Sequence, residues 1–494
     1  MPGEEELIQT RREKIERLRA AGIDPYPARV ERTHTTAQAI AAFERWERDG
    51  GTGEAPGVAV TGRVTSRRDM GKAAFADIRD GEGRLQAYIR KDAVGEEAYA
   101  RLADIDLGDF LQVSGALMRT RTGEITVEAR RFGVIAKALR PPPEKWHGIE
   151  DIEMRYRQRY LDLMANEEVR EIFRTRAAII ARIRRFLDER GYIEVETPVL
   201  QAEAGGAAAT PFVTHHRALD QDFYLRISLE LHLKRVLIGG FDRVYEMGRI
   251  FRNEGVSWKY NPEFTMIEGY QAYADYNDIA RLIEEMVPAV ARDVLGSTSV
   301  RFGQHDVDLT PPWRRITMRQ ALVDHAGIDF EEFRARDKLL GELQRRGLEV
   351  DAGWSWGKLI DEAVSHYVEP KLIQPTFLLD YPEEISPLAK KKAGEPGIVE
   401  RFEVFFAGFE IGNAYSELND PIDQRQRFER QARLAAAGLE EVETLDEDFL
   451  VALEHGMPPT GGFGIGIDRL TMILTGQTSI REVILFPQLR RKDA

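Results

Sequence analysis

Apolar positions recur at helical spacing over Glu4–Ala21, where Leu7, Ile15 and Leu18 stand sparsely among charges, and again over Ala37–Arg48. Gly22, Pro25 and Pro27 stop the first of these helices. Between Val58 and Ala136 the period changes to two. The runs VAVTGRV, FADIRD, RLQAYIR, FLQVSGALM and EITVEARRFGVI alternate, and turns such as Asp80-Gly81 and Thr122-Gly123 part them. Five short strands with a helical interruption near Gly95 to Leu102 predict an OB barrel, whose exposed face suits a single nucleic-acid strand. Phe75 is then either a core residue or an exposed ring on which a base can stack. Pro141-Pro142-Pro143 marks the end of this module. Helical spacing returns over Glu167–Arg190, through Val169, Phe173, Ala177, Ile180, Ile183 and Leu187, and Gly191 ends it. YIEVETPVL predicts a strand, broken at Pro198. Gly205-Gly206 opens a loop, Thr210 to His216 resumes a strand, and FYLRISLELHLKRVLIGGF predicts a strand and a helix with Glu230 near the helix start.

Three later stretches carry unusual residues for their rhythm. Val244 to Tyr276 reads as two strands joined by a long polar turn around Asn253-Glu254-Gly255. Tyr245, Met247, Arg249 and Phe251 share one face, with Glu246, Gly248, Ile250 and Arg252 on the other; on the return strand Phe264, Met266, Glu268 and Tyr270 share a face. Arginine and glutamate among core positions demand a partner, either in a salt-bridge network or in a ligand. Phe402–Phe406 and Phe409–Leu418 predict a hairpin about Ala407-Gly408. In a two-residue hairpin Glu403 lies diagonal to Glu410, about 7–8 Å away. The pair is either two solvated edge residues or a cation site of the oxygen-donor kind that magnesium prefers. Asn413, Tyr415 and Glu417 alternate onto one face of the same strand. In GGFGIGIDRLTMIL, Gly462, Gly464 and Gly466 leave one strand face bare, so a flat ligand can lie close to it.

At 494 residues the chain is long enough for two or three domains, and with 43% apolar and 31% charged residues it is globular. No run of apolar residues reaches membrane-spanning length, and the charged start lacks the apolar stretch of a signal peptide. With no cysteine, disulfides and thiolate metal sites are excluded, and a cytoplasmic location is expected. The net charge of −14 speaks against nonspecific DNA binding. The barrel stretch Val58 to Ala136 holds 13 Lys and Arg against 12 Asp and Glu, a net +1, so the acidity lies elsewhere. Such a near-neutral module can still bind RNA by shape and stacking. The phosphate loop GxxxxGK[ST] is absent. His215-His216 has no partner at metal-ligand spacing and reads as structural.

FRNEG followed by NPEF resembles motif 2 of the class II aminoacyl-tRNA synthetases. YIEVETPVL resembles their motif 1 and GGFGIGIDRL their motif 3, all in order and behind a barrel. DYPEEISPLAK and FEIGNAYSELNDP resemble the bacterial lysine-specific members of subclass b. The resemblance implies an α+β fold, an antiparallel sheet with flanking helices, plus an N-terminal five-stranded OB-fold β-barrel. It implies an N-terminal helical extension over 1–57, an anticodon-binding barrel over 58–137, a hinge over 138–165 through RYRQRYLDL, and a catalytic domain over 166–494 with an insertion about 297–375. The implied reaction couples L-lysine to ATP as lysyl-adenylate and then transfers it to the lysine tRNA, with up to three magnesium ions bound alongside ATP. Homodimerisation through motif 1 is implied, and no membrane or DNA partner.

Residue by residue, the resemblance gives Arg252 the bridge between the lysine carboxylate and the α-phosphate, a task suited to a planar fork that binds two oxyanions. Arg469 stacks over adenine and contacts the γ-phosphate. Glu254 lies on the adenine side, Phe264 stacks on adenine, and Tyr260, Asn261 and Gly466 complete the ATP set. Glu403 and Glu410 hold magnesium. Asn413 contacts the lysine carboxylate, Tyr415 packs along its methylenes, and Glu417 with Tyr270 takes the ε-ammonium. Glu230 and the Gly206 backbone take the α-ammonium, and Glu268 completes the lysine set. The segment F-A-D-I-R-D-x-x-G-x-x-Q resembles the anticodon barrel of the aspartate, asparagine and lysine enzymes, with Phe75, Arg79 and Gln86 as the matched positions. Three residues depart from the family pattern: Tyr260 for a histidine, Thr210 for an arginine and Arg217 for an asparagine. These departures suit either a neutral variation or a lysyl transferase with another acceptor. The intact set Arg252, Glu403, Glu410 and Arg469 argues against a catalytically silent binding protein. One conflict remains inside the reading. A regular pleat puts Glu410 on the face opposite Asn413, Tyr415 and Glu417, so a bulge or sharp twist is expected near Gly412.

Overall fold

In the computed structural model, which describes residues 3–143, 149, 151–436 and 445–490, the chain packs as two units, 1–150 and 151–494. The first is a closed barrel of β1 (Gly57–Asp69), β2 (Ala73–Arg79), β3 (Arg84–Arg90), β4 (Phe110–Arg119) and β5 (Ile125–Ala136), in the order β1-β2-β3-β5-β4. Alternation sends Val60, Val64, Ala74, Ile78, Leu85, Ala87 and Ile89 inside. Short helical pieces over Lys91–Val94, Glu96–Ala100 and Arg101–Asp104 join β3 to β4, where the sequence predicted its helical interruption. The helices Glu4–Ala20 and Thr36–Arg48 pack on the barrel: Leu18, Ala39 and Phe43 belong to the same core. Thr35 caps the second helix through a capping box with Gln38.

The second unit is built on an eight-stranded sheet. Its strands run from β6 (Ile193–Glu194) through β10 (Arg243–Phe251), β11 (Glu263–Ala272), β14 (Arg314–Thr317), β15 (Thr376–Pro382), β16 (Ile398–Phe406) and β17 (Phe409–Ser416) to β18 (Thr460–Gly466). The order is β14-β15-β16-β17-β18-β11-β10-β6. β7 (Leu200–Gln201), β8 (Val213–His216) and β9 (Gln221–Leu225) form a small separate sheet, and β12 (Ser299–Phe302) with β13 (His305–Asp308) a hairpin. The middle of the large sheet is antiparallel as expected, but both edges are parallel pairs, β6 with β10 and β14 with β15. The helices Glu167–Asp188 and Tyr276–Leu295 cover one face, burying Ile179, Ile183 and Phe186 with Ile279, Ile283 and Met286 against Phe463 and Ile465. Helices over Met318–Ala326, Arg336–Arg345 and Trp356–Tyr367 build a second core. Within the segment expected as an insertion, β14 is an integral edge strand of the sheet.

The chain departs from two sequence expectations. YIEVETPVL forms no continuous strand, only the two-residue pieces β6 and β7. Between them the Thr197 backbone N–H and hydroxyl both donate to Glu246, at 3.0 and 2.7 Å, so the backbone is tied to a carboxylate rather than a ladder. The strand expected from Thr210 starts only at Val213. Among the described residues no helix is long and apolar enough to cross a membrane.

Candidate active site and nucleic-acid surface

The β10–β11 hairpin resolves its misplaced charges in two ways. On β10, Glu246 is buried against Arg226, Nη1 to Oε1 2.5 Å, and Gly248 leaves room for that guanidinium: a Cβ there would lie 2.1 Å from Arg226 Nη2. This pair is structural. On β11, Phe264, Met266, Glu268 and Tyr270 all line a cleft of about 1130 Å³. Arg252 stands just past the end of β10, half-buried, with its guanidinium 5.3 Å from the Phe264 ring centroid and a long 3.4 Å contact from Nε to the Ile227 carbonyl. Among the described residues no carboxylate is in ion-pair contact with it. Its remaining donors are available to an anionic ligand.

The expected irregularity in β17 is present. Phe405 pairs Glu410 and Val404 pairs Gly412, which leaves Ile411 as the extra residue. The slip turns Ile411 and Ala414 into the core while Glu410, Asn413, Tyr415 and Glu417 all line the cleft. The reason for a glycine at 412 is crowding, not an unusual backbone angle. A Cβ there would lie 2.7 Å from the Gly464 carbonyl oxygen, and φ is not positive. The hairpin turn itself places Ala407 and Gly408 at φ 51° and 78°.

The glycines of β18 divide into two kinds. A Cβ on Gly462 would lie 2.0 Å from Glu417 Oε1, so this gap is filled by the protein's own side chain. At Gly464 and Gly466 a Cβ would meet nothing nearer than 3.6 and 3.8 Å, so these two leave the open floor. The helix Ile467–Thr475 follows at once. Asp468 anchors its start, accepting from Thr265 N at 2.6 Å and pairing with Arg176 at 2.7 Å. Arg469 projects over the cleft, where Nη1 donates to the Glu410 carbonyl and to its carboxylate, 2.8 and 3.0 Å. The Tyr260 ring lies under this guanidinium, 5.5 Å from its centroid. A cation on an exposed ring gains about 0.5–1 kcal/mol. Tyr260→Phe, which keeps the ring, is therefore expected to leave the KM for ATP unchanged, while Tyr260→Ala raises it roughly two- to fivefold. Equal losses for the two variants would show that the hydroxyl acts on ATP instead.

The far end of the cleft is acidic and aromatic. Glu230 opens the helix Glu230–Ile238, and its Oε2 accepts the Tyr415 hydroxyl at 2.5 Å. Glu268 accepts from Leu229 N, Ser228 Oγ and the Tyr270 hydroxyl at 3.0, 3.2 and 3.1 Å. Burial, and then the charge of Glu230, still pushes its carboxyl up to about 7. Burial likewise raises Glu417 well above the usual carboxylate range. Glu417 was expected to await an external ammonium, but an internal one, Lys234, lies 2.5 Å from its Oε2. Sequence reasoning missed Lys234. The signal was there: Glu230 and Lys234 are one helical turn apart in ELHLK.

Of the sequence-derived lysine and ATP residues, all line the cleft except Glu403. Gly206, Glu254 and Gly466 lie on its wall as expected. Asn261 lines it too, but its amide is engaged: Nδ2 donates to the Glu263 carbonyl at 2.6 Å and Oδ1 accepts from Gln488 N at 3.1 Å. Glu403 is partly exposed and is paired with Arg401, a residue that the sequence reading did not include. Arg401 Nη2 donates to Glu403 at 2.8 Å and Nε to Asn413 Oδ1 at 3.0 Å. With its oxygen so occupied, the Asn413 NH₂ is the group left to address a carboxylate. Burial first, and the nearby Glu410 second, push Glu403 up to about 8. Glu403 and Glu410 are oxygen donors of the kind that a divalent cation would draw on. The described residues hold no cluster of three or more metal-ligating side chains.

On the barrel, Phe75 is outside the core. It faces outward on β2, half-buried, and stacks on Tyr88 of β3 with centroids 4.6 Å apart. Tyr88 went unnoticed in the sequence because only the β2–β3 register, Phe75 opposite Tyr88, brings it there. Arg79 lies on the same face of β2. Gln86 is engaged within the barrel. It is only 4% exposed, its Nε2 donates to Glu124 at 3.1 Å and its Oε1 accepts from Thr126 at 3.1 Å. Phe75→Ala is expected to weaken tRNA charging while sparing amino-acid activation, as stacking contributes about 1–3 kcal/mol per base. Gln86→Ala is expected to lower the melting temperature as well, since it strips a partner from the buried Thr126 hydroxyl.

Comparison with known proteins agrees with this geometry. The family described as tRNA synthetases class II (D, K and N) matches residues 151–490, and an OB-fold nucleic acid binding domain matches 58–135. A lysine–tRNA ligase of Dehalococcoides mccartyi is 54% identical over 494 residues, covering 99% of this chain and 98% of that protein. One from Moorella thermoacetica is 54% identical over 493 residues, covering 100% and 99%. One from Chloroflexus aurantiacus is 52% identical over 490 residues, covering 99% of each. The chain belongs to the class II tRNA synthetases of the D, K and N group, in the lysine–tRNA ligase family.

Proposed function

We propose that this protein attaches lysine to tRNA in two steps. The lysine carboxylate attacks the α-phosphate of ATP, giving lysyl-adenylate and pyrophosphate, and a terminal ribose hydroxyl of the lysine tRNA then takes the lysyl group. The observation that carries the reading is the polarity of one cleft. Its closed end sets Glu230, Glu268 and Glu417 beside Tyr270 and Tyr415, and its open end lays a bare glycine floor between Arg252 and Arg469. A long dicationic amino acid fits the first and a nucleotide triphosphate the second. The carboxylate nucleophile is already ionised at neutral pH, so no general base is required. Alignment by Arg252 and Asn413 and charge neutralisation by the arginines do the catalysis. Magnesium held by Glu403 and Glu410 would neutralise phosphate charge.

In this reading residues 58–137 bind the anticodon, with Phe75 and Tyr88 as the stacking surface and Arg79 at its edge. Residues 1–57 extend that barrel, 138–165 act as the hinge, and 166–494 carry the chemistry. A second copy of the chain is the partner we assign to the motif 1 region, where Ile193, Val199, Leu200 and Val213 are exposed apolar residues around β6 to β8. The cytoplasm is the compartment assigned.

The test is ATP–pyrophosphate exchange with each amino acid in turn. Lysine is expected to be the substrate that supports it; exchange with another amino acid and none with lysine would overturn the reading. The acidic pocket adds a pH signature. Glu268 must be ionised to face an ammonium, and its carboxyl sits near 7 because of burial. Raising pH through that value ionises it, so the KM for lysine is expected to fall between about pH 6 and about pH 8. A KM that rises over this interval would show that Glu268 acts as a neutral acid.

A further inference from the structure

Lys234 is a buried cation that the reaction as set out above does not use. It sits one turn after Glu230 on the helix Glu230–Ile238, and its side chain is fully enclosed. Its Nζ lies 2.5 Å from Glu230 Oε1 and 2.5 Å from Glu417 Oε2, so one ammonium ties that helix to the chain just beyond β17. The rings of Tyr415 and Phe449 flank it, with centroids at 5.7 and 5.9 Å. Each carboxylate thereby keeps one oxygen on Lys234. The second oxygen of Glu230 takes the Tyr415 hydroxyl, and the second oxygen of Glu417 is enclosed with no hydrogen-bond partner. An enclosed carboxylate oxygen without a donor is a place for a donor that a ligand brings.

The charges facing this point come from three elements. Glu230 lies on the same helix, Glu268 and Tyr270 on β11, and Tyr415 and Glu417 on and just beyond β17. Beyond Tyr415, Arg401 is engaged with Glu403. Burial, and then the surrounding carboxylates, hold both tyrosines well above their ordinary range, so they stay neutral. Burial works against the Lys234 charge, but Glu230 and Glu417 outweigh it and hold the ammonium up to about 12. Three carboxylates against one ammonium leave two negative charges.

We propose that Lys234 is a positioning residue that sets the amino-acid pocket to two negative charges, the complement of an amino acid with two ammonium groups. The inference rests on the lysine-activating reading and names what in the pocket demands a diamino acid. An amino acid with an uncharged side chain brings one positive charge and leaves one buried carboxylate uncompensated. Without a ligand the pocket lessens its charge by keeping a proton, which the two incoming ammonium groups displace.

The test uses the full chain, wild type and Lys234→Met, titrated with L-lysine in a calorimeter at pH 7 in buffers of unlike ionisation enthalpy. Wild type is expected to release protons on binding lysine. Lys234→Met, whose pocket needs one proton more than wild type both empty and with lysine bound, is expected to release the same number. Its KM for lysine should rise roughly tenfold or more and its KM for ATP stay unchanged. Release of about one more proton by Lys234→Met would show that the occupied pocket tolerates three negative charges and would overturn the inference. Failure of the wild type to bind lysine would instead remove the reading of the pocket, and this inference with it. Should Lys234→Met not fold, Lys234→Met with Glu417→Gln returns the pocket to two negative charges. That double variant is expected to recover a melting temperature close to wild type, and failure to recover it would also overturn the inference.

Discussion

Arg252→Ala is expected to lower lysine-dependent ATP–pyrophosphate exchange by roughly a thousandfold or more while leaving the melting temperature nearly unchanged. Losing an arginine that offsets charge on a transferring phosphoryl group costs on that scale. Stability is expected to hold because Arg252 contributes little to the fold: a long hydrogen bond to the Ile227 carbonyl and a contact with the Phe264 ring. Neighbouring arginines are different. Arg226 is buried against Glu246, and Arg469 is clamped by Glu410, so their removal would disturb structure and chemistry together. Exchange and thermal melting measured on one preparation separate the cases. Near-normal exchange in Arg252→Ala would remove this residue from the site.

Glu417→Gln is expected to raise the KM for lysine by two to three orders of magnitude with the KM for ATP nearly unchanged. Removing one partner of a buried ion pair typically costs about 3–5 kcal/mol, and about 1.4 kcal/mol corresponds to a factor of ten. The carboxylate lies at the closed end of the cleft, with one oxygen on Lys234 and the other without a partner. An amide at this position keeps the shape and removes the charge that a side-chain ammonium would meet. In the proposed arrangement ATP would lie along the glycine floor towards Arg469, so its binding should not register the change. A parallel rise in both constants would mean that the substitution loosens the whole cleft.

How much of this was legible beforehand differs from residue to residue. The cleft-facing set on β11 could be read directly, because a strand's period of two is a local property of the backbone and holds wherever the strand sits. The same holds for the barrel strands and for the turn at Ala407-Gly408. The slip at Ile411 was deduced only because two local readings contradicted each other. What the sequence left out clusters where a side chain's partner comes from far along the chain. Gln86 meets Thr126 of β5 and Glu124 just before it, which no local pattern announces. YIEVETPVL alternated like a strand, but Glu246 captured its backbone.

By itself the sequence determined the two rhythms, hence a barrel followed by a helix-covered sheet, and most of the side chains that line the cleft. Those follow from periodicity and from motifs, which are local. Only the tertiary structure decided the parallel edges of the sheet, the Phe75–Tyr88 stack, and the charge state of the acidic pocket. Glu230, Glu268 and Glu417 are distant in sequence, and whether three glutamates repel, hold a proton or share an ammonium depends on burial and on distances of a few ångströms. Nothing short of the folded pocket shows that the Lys234 ammonium reaches both Glu230 and Glu417.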